Sequence, residues 1–446
     1  MSPDPSSSPR RGWPRISLRG LMILIVVVAV PTGWAARTIR AQRAAVAAVR
    51  AGGGSVAFDW QFERVGTAPN GRPIYRKEPA APAWLRRWLG DELFEAVQTV
   101  RFPGRATPEA PAALVQCDRL ERFDLGDSTG AGDGLRPLRG LRRLESVSIS
   151  GFAITDPLLA DLAAIRSLRE LNIGQVVVRP APGSKPGSPA ADEGFARLAA
   201  LPRLEKLIIK GFPRLTDAGM ARLLAGLPGL TMLYLDGGPP TLTATTQAVA
   251  RHHPDLESLA VRQTGVADAD LPAIAGLGRL RSIDLGKTAV TDAGIAHLRP
   301  LRGLMSVVLD DTGVGDASLE VVAEWPEVWQ LLATKTKITD AGLAHLARLP
   351  KLRTLFVGGS SLSDAGMPAL GRVAGLERLI LDQASGLTDE GLASLRALAH
   401  LRELTLIGAM VTPEGVAALR AAVPTLKPAI LRPARPAPPS PTGAHP

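Results

Sequence analysis

Gly126-Asp127-Ser128-Thr129-Gly130 has the G-x-S-x-G spacing of a nucleophile elbow. In such an elbow a serine on a sharp strand-to-helix turn attacks an acyl carbon, with a histidine as base and a carboxylate to orient it. Here the stretch follows LERFDL, a segment type that recurs along the chain, so an ordinary turn is the expected reading. A hydrolase using Ser128 is the rival, and it requires an activity lost in Ser128→Ala. The adjoining GAGDG, 130 to 134, lacks the Lys-Ser or Lys-Thr that completes a phosphate loop. His297 and His345 stand at equivalent helix positions, and His252 and His253 precede Pro254. None has H-E-x-x-H spacing, and zinc needs three or four ligands converging at about 2 Å, so all four are expected as exposed polar residues on an outer face. Cys117 is the single cysteine, so it forms no intrachain disulfide and builds no metal site by itself.

Asp156, Asp217, Asp268, Asp292, Asp316, Asp340, Asp364 and Asp389 are the most conspicuous candidate acids. Each opens the same kind of segment, as in TDAGIAHL (291 to 298) and TDAGLAHL (339 to 346). Catalysis needs a unique constellation, whereas one role repeated at every turn of a pattern is structural. Thr339 is placed to cap a helix and Asp340 to sit in its first turn, where the helix dipole favours an anion. Neither an enzyme, a metal, a cofactor nor a small-molecule substrate is expected.

The elements that carry these residues are repeats. From Leu120 onward L-x-x-L-x-L recurs twelve times, ending at Leu125, Ile149, Ile173, Ile209, Leu235, Val261, Leu285, Leu309, Ala333, Val357, Leu381 and Leu406. The intervals are 24 to 26 residues except for one of 36, which contains the Pro/Gly/Ser insertion RPAPGSKPGSPA. Each segment predicts a short strand, a turn, and a helix whose leucines recur three apart, as in Leu343, Leu346 and Leu349. One such unit cannot bury its own apolar side, so the units must stack, strands on one side and helices on the other.

LRSIDLGKTAVTDAGIAHL (280 to 298) and LERLILDQASGLTDEGLASL (376 to 395) resemble leucine-rich repeats, of the ribonuclease-inhibitor-like and F-box-type kind with an L-T-D-x-G-L helix start. The resemblance implies an α/β solenoid with parallel strands on its concave side and helices on its convex side. Thr264, Thr288, Thr312 and Thr336 stand where many members carry Asn or Cys. RISLRGLMILIVVVAV, AVAAVRAGGGSVAFDW and WLRRWLGDELF together are similar to membrane-anchored repeat proteins of planctomycete bacteria, which implies a location more than an activity.

Within L-x-x-L-x-L the residue between the last two apolar positions faces outward from the sheet. The row begins Asp124, Ser148, Asn172 and continues Ile208, Tyr234, Ala260, Asp284, Val308, Leu332, Phe356, Ile380, Thr405. Its later part is mostly apolar, and Met305 and Trp329 stand beside it. Tyr234, Met305, Val308, Trp329, Leu332, Arg353, Phe356 and Ile380 are therefore the candidate protein-binding residues, with Arg353, Arg378 and Asp382 as a rim. Two other readings stay open: aromatic and β-branched residues suit strands in any case, and the tail from 427 could fold over them.

The ends complete the layout. The chain of 446 residues has net charge +10, all of it accounted for by residues 1–50 and 427–446, so the neutral body offers no broad footprint for nucleic acid. LMILIVVVAVPTGWAA, 21 to 36, with Ile16 to Arg19, gives about twenty residues, enough for one membrane span. The expected domains are a basic tail (1–15), a transmembrane anchor (16–36), a juxtamembrane helix, hairpin and cap (37–96), a repeat domain (97–426, insertion 179–190) and a Pro-rich tail (427–446). In the expected hairpin, Ser55 to Phe62 alternates as one strand and the turn Asn70 to Pro73 leads into the other. Trp84, Trp88 and Leu89 share a helix face that would cover the first repeat. The expectation is a single-pass membrane protein whose repeats lie outside the cytoplasm and hold a protein partner without catalysis. An intracellular adaptor of F-box type is the alternative.

Overall fold

In the computed structural model the described residues are 18–62, 64–67, 73–75, 82–89, 96–103, 110–126, 135–150, 154–174, 192–211, 215–359 and 362–433. The elbow candidate at Ser128, the GAGDG stretch, the insertion 179–190, the turn at 70–72, the basic tail 1–15 and most of the Pro-rich tail lie outside them.

Fifteen strands form one sheet. The repeat strands are β4 (Val97–Phe102), β5 (Arg122–Leu125), β6 (Ser146–Ser150), β7 (Glu170–Gly174), β8 (Lys206–Lys210), β9 (Met232–Asp236), β10 (Ser258–Arg262), β11 (Ser282–Asp284), β12 (Ser306–Val308), β13 (Gln330–Thr334), β14 (Thr354–Gly358), β15 (Arg378–Asp382), β16 (Glu403–Ile407) and β17 (Ile430–Arg432). Each pairs in parallel with the next in chain order, and β7 and β8 keep register across the insertion, Glu170 opposite Lys206. The fold is thus the α/β leucine-rich-repeat solenoid that the resemblance implied. The inward apolar residues of β4 to β16, such as Val147 and Ile149 or Leu379 and Leu381, meet helix leucines in one continuous core running from Ala45 to Leu426. Burying each such side chain contributes roughly 1.5–3 kcal/mol, and no repeat could realise that alone.

The recurring T-D-x-G has a fuller explanation than capping. The hydroxyls of Thr216, Thr291, Thr339, Ser363, Thr388 and Thr412 accept from backbone N–H groups in the first turn of their helices, as expected. The Asp that follows reaches across to the next repeat. Asp316 accepts from the Thr339 amide (2.8 Å) and hydroxyl (2.6 Å), and Asp340 does the same at Ser363 (3.0 and 2.6 Å). Asp364 repeats the arrangement at Thr388 and Asp389 at Thr412. The Thr412 hydroxyl and amide hold the Asp389 carboxyl below its ordinary value. At most of these helix starts the carboxylate fills the space a side chain would take, so glycine stands there: a Cβ on Gly342 would stand 2.3 Å from Asp316 Oδ1, and one on Gly366 2.4 Å from Asp340 Oδ1. Ser318 and Thr245 take the same slot by donating their hydroxyls to Asp292 and Asp217.

On the other edge, the turns after β8 to β13, β15 and β16 pass through a left-handed residue. Gly211, Gly237 and Gly408 occupy it at φ of 66 to 73°, but Gln263, Lys287, Asp311, Lys335 and Gln383 adopt it too, at 53 to 57°. The threonine that follows closes the turn: Thr264, Thr288 and Thr312 donate to the carbonyls of Val261, Leu285 and Leu309 at 2.5 to 2.6 Å. These hydroxyls bond within their own repeat, not between repeats.

The amino-terminal expectations need correction. No helix among the described residues is long and apolar enough to cross a membrane, which overturns the anchor at 16–36 and the single-pass, extracytoplasmic location built on it. Leu18–Ala51 is one continuous helix, α1, running through the expected boundary at 36. Its second half carries exposed Arg37, Arg40, Arg43 and Arg50, and its last turns bury Ala45 and Val49 in the solenoid core.

The expected 55–62 strand ends at Phe58, where Asp59–Phe62 turns as a 3-10 helix. That strand, β1 (Ser55–Phe58), pairs antiparallel with β4 and closes the end of the sheet. The hairpin forms instead between β2 (Arg64–Thr67) and β3 (Pro73–Tyr75). Helix α2 (Ala83–Leu89) leaves Trp84 70% exposed, so Trp84 is not packed as a cap; β1 and the end of α1 close this end of the sheet.

Candidate functional site

Parallel pairing in register turns one residue per repeat into a continuous row. Asp124 stands opposite Ser148, Ser148 opposite Asn172, and Asn172 opposite Ile208. The row goes on through Tyr234, Ala260, Asp284, Val308, Leu332, Phe356, Ile380 and Thr405. Adjacent strands lie about 4.8 Å apart, so Val308, Leu332, Phe356 and Ile380 form one apolar band across four strands. All four are half-buried on the open face of the sheet, away from the helices. Met305 and Trp329 lie three residues upstream of Val308 and Leu332, immediately before β12 and β13, joined by the Trp329 amide donating to the Met305 carbonyl at 3.0 Å. They are 38% and 37% exposed, large apolar side chains left in solvent. Tyr234 lies three strands from Val308, beneath the Lys210 ammonium at 5.1 Å from its ring centre. The eight candidates thus divide: six share the band, Arg353 borders it, and Tyr234 is separate.

The charged border is internally paired. Arg353 binds Glu377 of the next repeat, and Arg378 binds Glu403 at 2.6 Å. The Arg378 guanidinium holds the Glu403 carboxyl below its usual range. Asp382, expected on the rim, is buried, and its Oδ1 has no hydrogen-bond partner. Asp284 separates Tyr234 from the apolar band; burial pushes its carboxyl up, against the Gly286 amide and the Arg262 guanidinium 3.6 Å away.

The remaining reactive groups do not converge. Among the described residues no three His, Cys, Asp or Glu are placed to hold a metal ion. Burial pushes the Cys117 thiol up to about 11, helped by the Asp118 charge, so it stays protonated at neutral pH. His297 and His252 are exposed as expected, but His253 is only 1% exposed and corrects that reading. It fills the slot that Leu277, Leu301 and Trp325 occupy in later repeats, three residues before the first strand leucine. Its Nε2 lies 3.0 Å from the Leu224 carbonyl, to which it donates, leaving Nδ1 buried without a partner. The signal was in its register, which the adjoining His252 and Pro254 obscured.

Burial lowers the His253 pKa below 6.5, so the folded chain binds this proton less readily than the unfolded chain does. The resulting contribution to stability is complete above about pH 6.5 and is lost as pH falls through the folded value. His253→Leu removes an unpaired buried polar atom and is expected to stabilise the protein by about 1 kcal/mol at neutral pH. Its margin over wild type should widen between pH 7 and pH 5. Urea unfolding at both pH values checks this, and a margin that narrows on acidification would reject the buried neutral imidazole.

No protein family or curated protein matches the chain. Solved structures resemble it. An internalin from Listeria monocytogenes is 20% identical over 71% of this chain and 82% of its own, with a TM-score of 0.49. A leucine-rich-repeat protein of Leptospira interrogans is 13% identical over 71% and 91%, with a TM-score of 0.34. The complex of Rad7 and Elc1 from yeast gives 16% identity over 92% of each chain and a TM-score of 0.49. None reaches a TM-score of 0.5, and the fold rests on the strand register described above.

Proposed function

We propose that this chain is a non-catalytic interaction module that holds a protein partner on the concave face of its repeat domain, residues 97–426. The partner sits on the band of Met305, Val308, Trp329, Leu332, Phe356 and Ile380, with Arg353 at its border and Tyr234 as an outlying contact. One observation carries the reading: two large side chains, Met305 and Trp329, remain more than one-third exposed beside an aligned apolar row. Exposed aromatic and methionine side chains that border a rigid apolar surface are the usual anchors of a binding hot spot. β-propensity explains half-buried Val308 or Ile380, but it does not explain an indole left in water at a position where most other repeats carry Arg or Glu.

Trp329→Ala with Phe356→Ala tests it. Retention of a native partner by the immobilised protein is expected to fall at least about ten-fold, the effect of losing two anchors. Thermal unfolding should move by no more than about 4 °C, since both side chains keep solvent contact. Ser148→Ala with Asn172→Ala, in the polar part of the same row, should leave retention unchanged. Undiminished retention in the first variant rejects the band as the site.

A further inference from the structure

We propose a second docking surface, on the flank where the helices turn back into β6, β7 and β8, whose occupant is an acidic, Asp/Glu-rich protein segment. It is independent of the band on the open face. The turns of successive repeats stack there: the Arg169 amide donates to Glu145 and the Glu205 amide to Arg169, both at 2.8 Å. The Ser167 hydroxyl ties one turn to the preceding one by donating to the Leu144 carbonyl at 2.7 Å. Arg142, Arg166 and Arg203 project from three consecutive turns and, with Arg139, line an open groove of about 450 Å³.

The charge in this groove is not neutralised. Arg139 is engaged by Asp161, but Arg142, Arg143, Arg166 and Arg203 are exposed and form no ion pair among the described residues. Asp118, one repeat earlier, is the acid at the margin of the row. Later repeats balance the same flank: Arg279 pairs with Asp255 at 3.1 Å, Arg302 with Glu324 at 3.1 Å, and Lys351 with Glu327 at 2.6 Å. Unpaired guanidinium groups on fixed turns match carboxylates, which they bind through paired N–H donors. The groove floor is aliphatic, with Leu141, Ile165 and Pro202, and offers no aromatic ring on which a base could stack.

Fluorescein-labelled octaglutamate, titrated into the full chain at roughly 0.15 M salt, is the probe. Arg142→Gln with Arg166→Gln and Arg203→Gln is expected to weaken binding about ten-fold and flatten its salt dependence, as removal of several facing charges does. Arg279→Gln, on the same flank but in a paired repeat, should change it less than two-fold. The Trp329→Ala/Phe356→Ala variant should bind the peptide as wild type does, so failure here and failure of the band are separable. Unchanged binding in the triple variant overturns the proposal, as does equal loss in Arg279→Gln. Tighter, arginine-dependent binding of an octameric single-stranded DNA also overturns it, in favour of nucleic acid.

Discussion

Gly342→Ala is expected to destabilise the repeat array by about 2–4 kcal/mol, opposite in sign to the roughly 0.5–1 kcal/mol that the same change gains in an open helix. The added Cβ would lie 2.3 Å from Asp316 Oδ1 and 3.2 Å from the Asp316 Cα, so the carboxylate and its backbone must both yield. That carboxylate accepts from the Thr339 amide and hydroxyl at 2.8 and 2.6 Å. Displacing it breaks two charge-assisted bonds and leaves the amide without its partner. Asp316→Ala removes the same bonds and should cost a similar amount. The double variant decides the cause: without the carboxylate the methyl group has room, so Asp316→Ala/Gly342→Ala should be no worse than Asp316→Ala alone. Urea unfolding of the four proteins measures the coupling, expected to exceed about 1 kcal/mol. Strict additivity would show that glycine and aspartate are recurrent for unrelated reasons.

The same lock shows which kinds of structure this sequence discloses. Strand and helix positions follow from leucine spacing, because the inward face is set by local periodicity, and the row from Asp124 to Thr405 was readable for that reason. Asp316 is different. Its partner lies 23 residues on, and the first-turn position satisfies a helix dipole so well that capping looks sufficient. The third element of the motif, the glycine, was the available signal, since a helix start alone has no need of it.

His253 followed the same logic, its register in the leucine column outweighing its polarity. The border of the candidate site was less accessible. Arg353 and Arg378 look free until their neighbours one repeat later, Glu377 and Glu403, are brought alongside by the parallel register. At the amino-terminal end, alternation in Ser55 to Phe58 marks a strand but says nothing about its partner. Pairing with β4 rather than β3 is set by the open end of the sheet, which needs a cover.

Trp325→Ala should have the largest effect of any substitution in the core, about 3–5 kcal/mol, and should change how the protein unfolds. The indole is fully buried in a column where adjacent repeats place Leu301 and Leu349, so it spans the contact between neighbouring units. Truncation to alanine leaves a void that stacked turns, pinned by the amide of Trp325 to Val322 and of Val328 to Trp325, cannot collapse to fill. Solenoid stability is a sum of unit and nearest-neighbour contributions, so an interface weakened this much lets the array part. The Ala variant should therefore unfold in two steps, with amides of β13 to β16 exchanging before those of β6 to β11. Trp325→Leu, which restores the usual occupant and removes an indole nitrogen that has no partner, should stay within about 1.5 kcal/mol of wild type with one transition. Hydrogen exchange along a urea series distinguishes the outcomes. Uniform exchange in the Ala variant, with less than about 1 kcal/mol lost, would mean that Trp325 fills space without joining the repeats on either side.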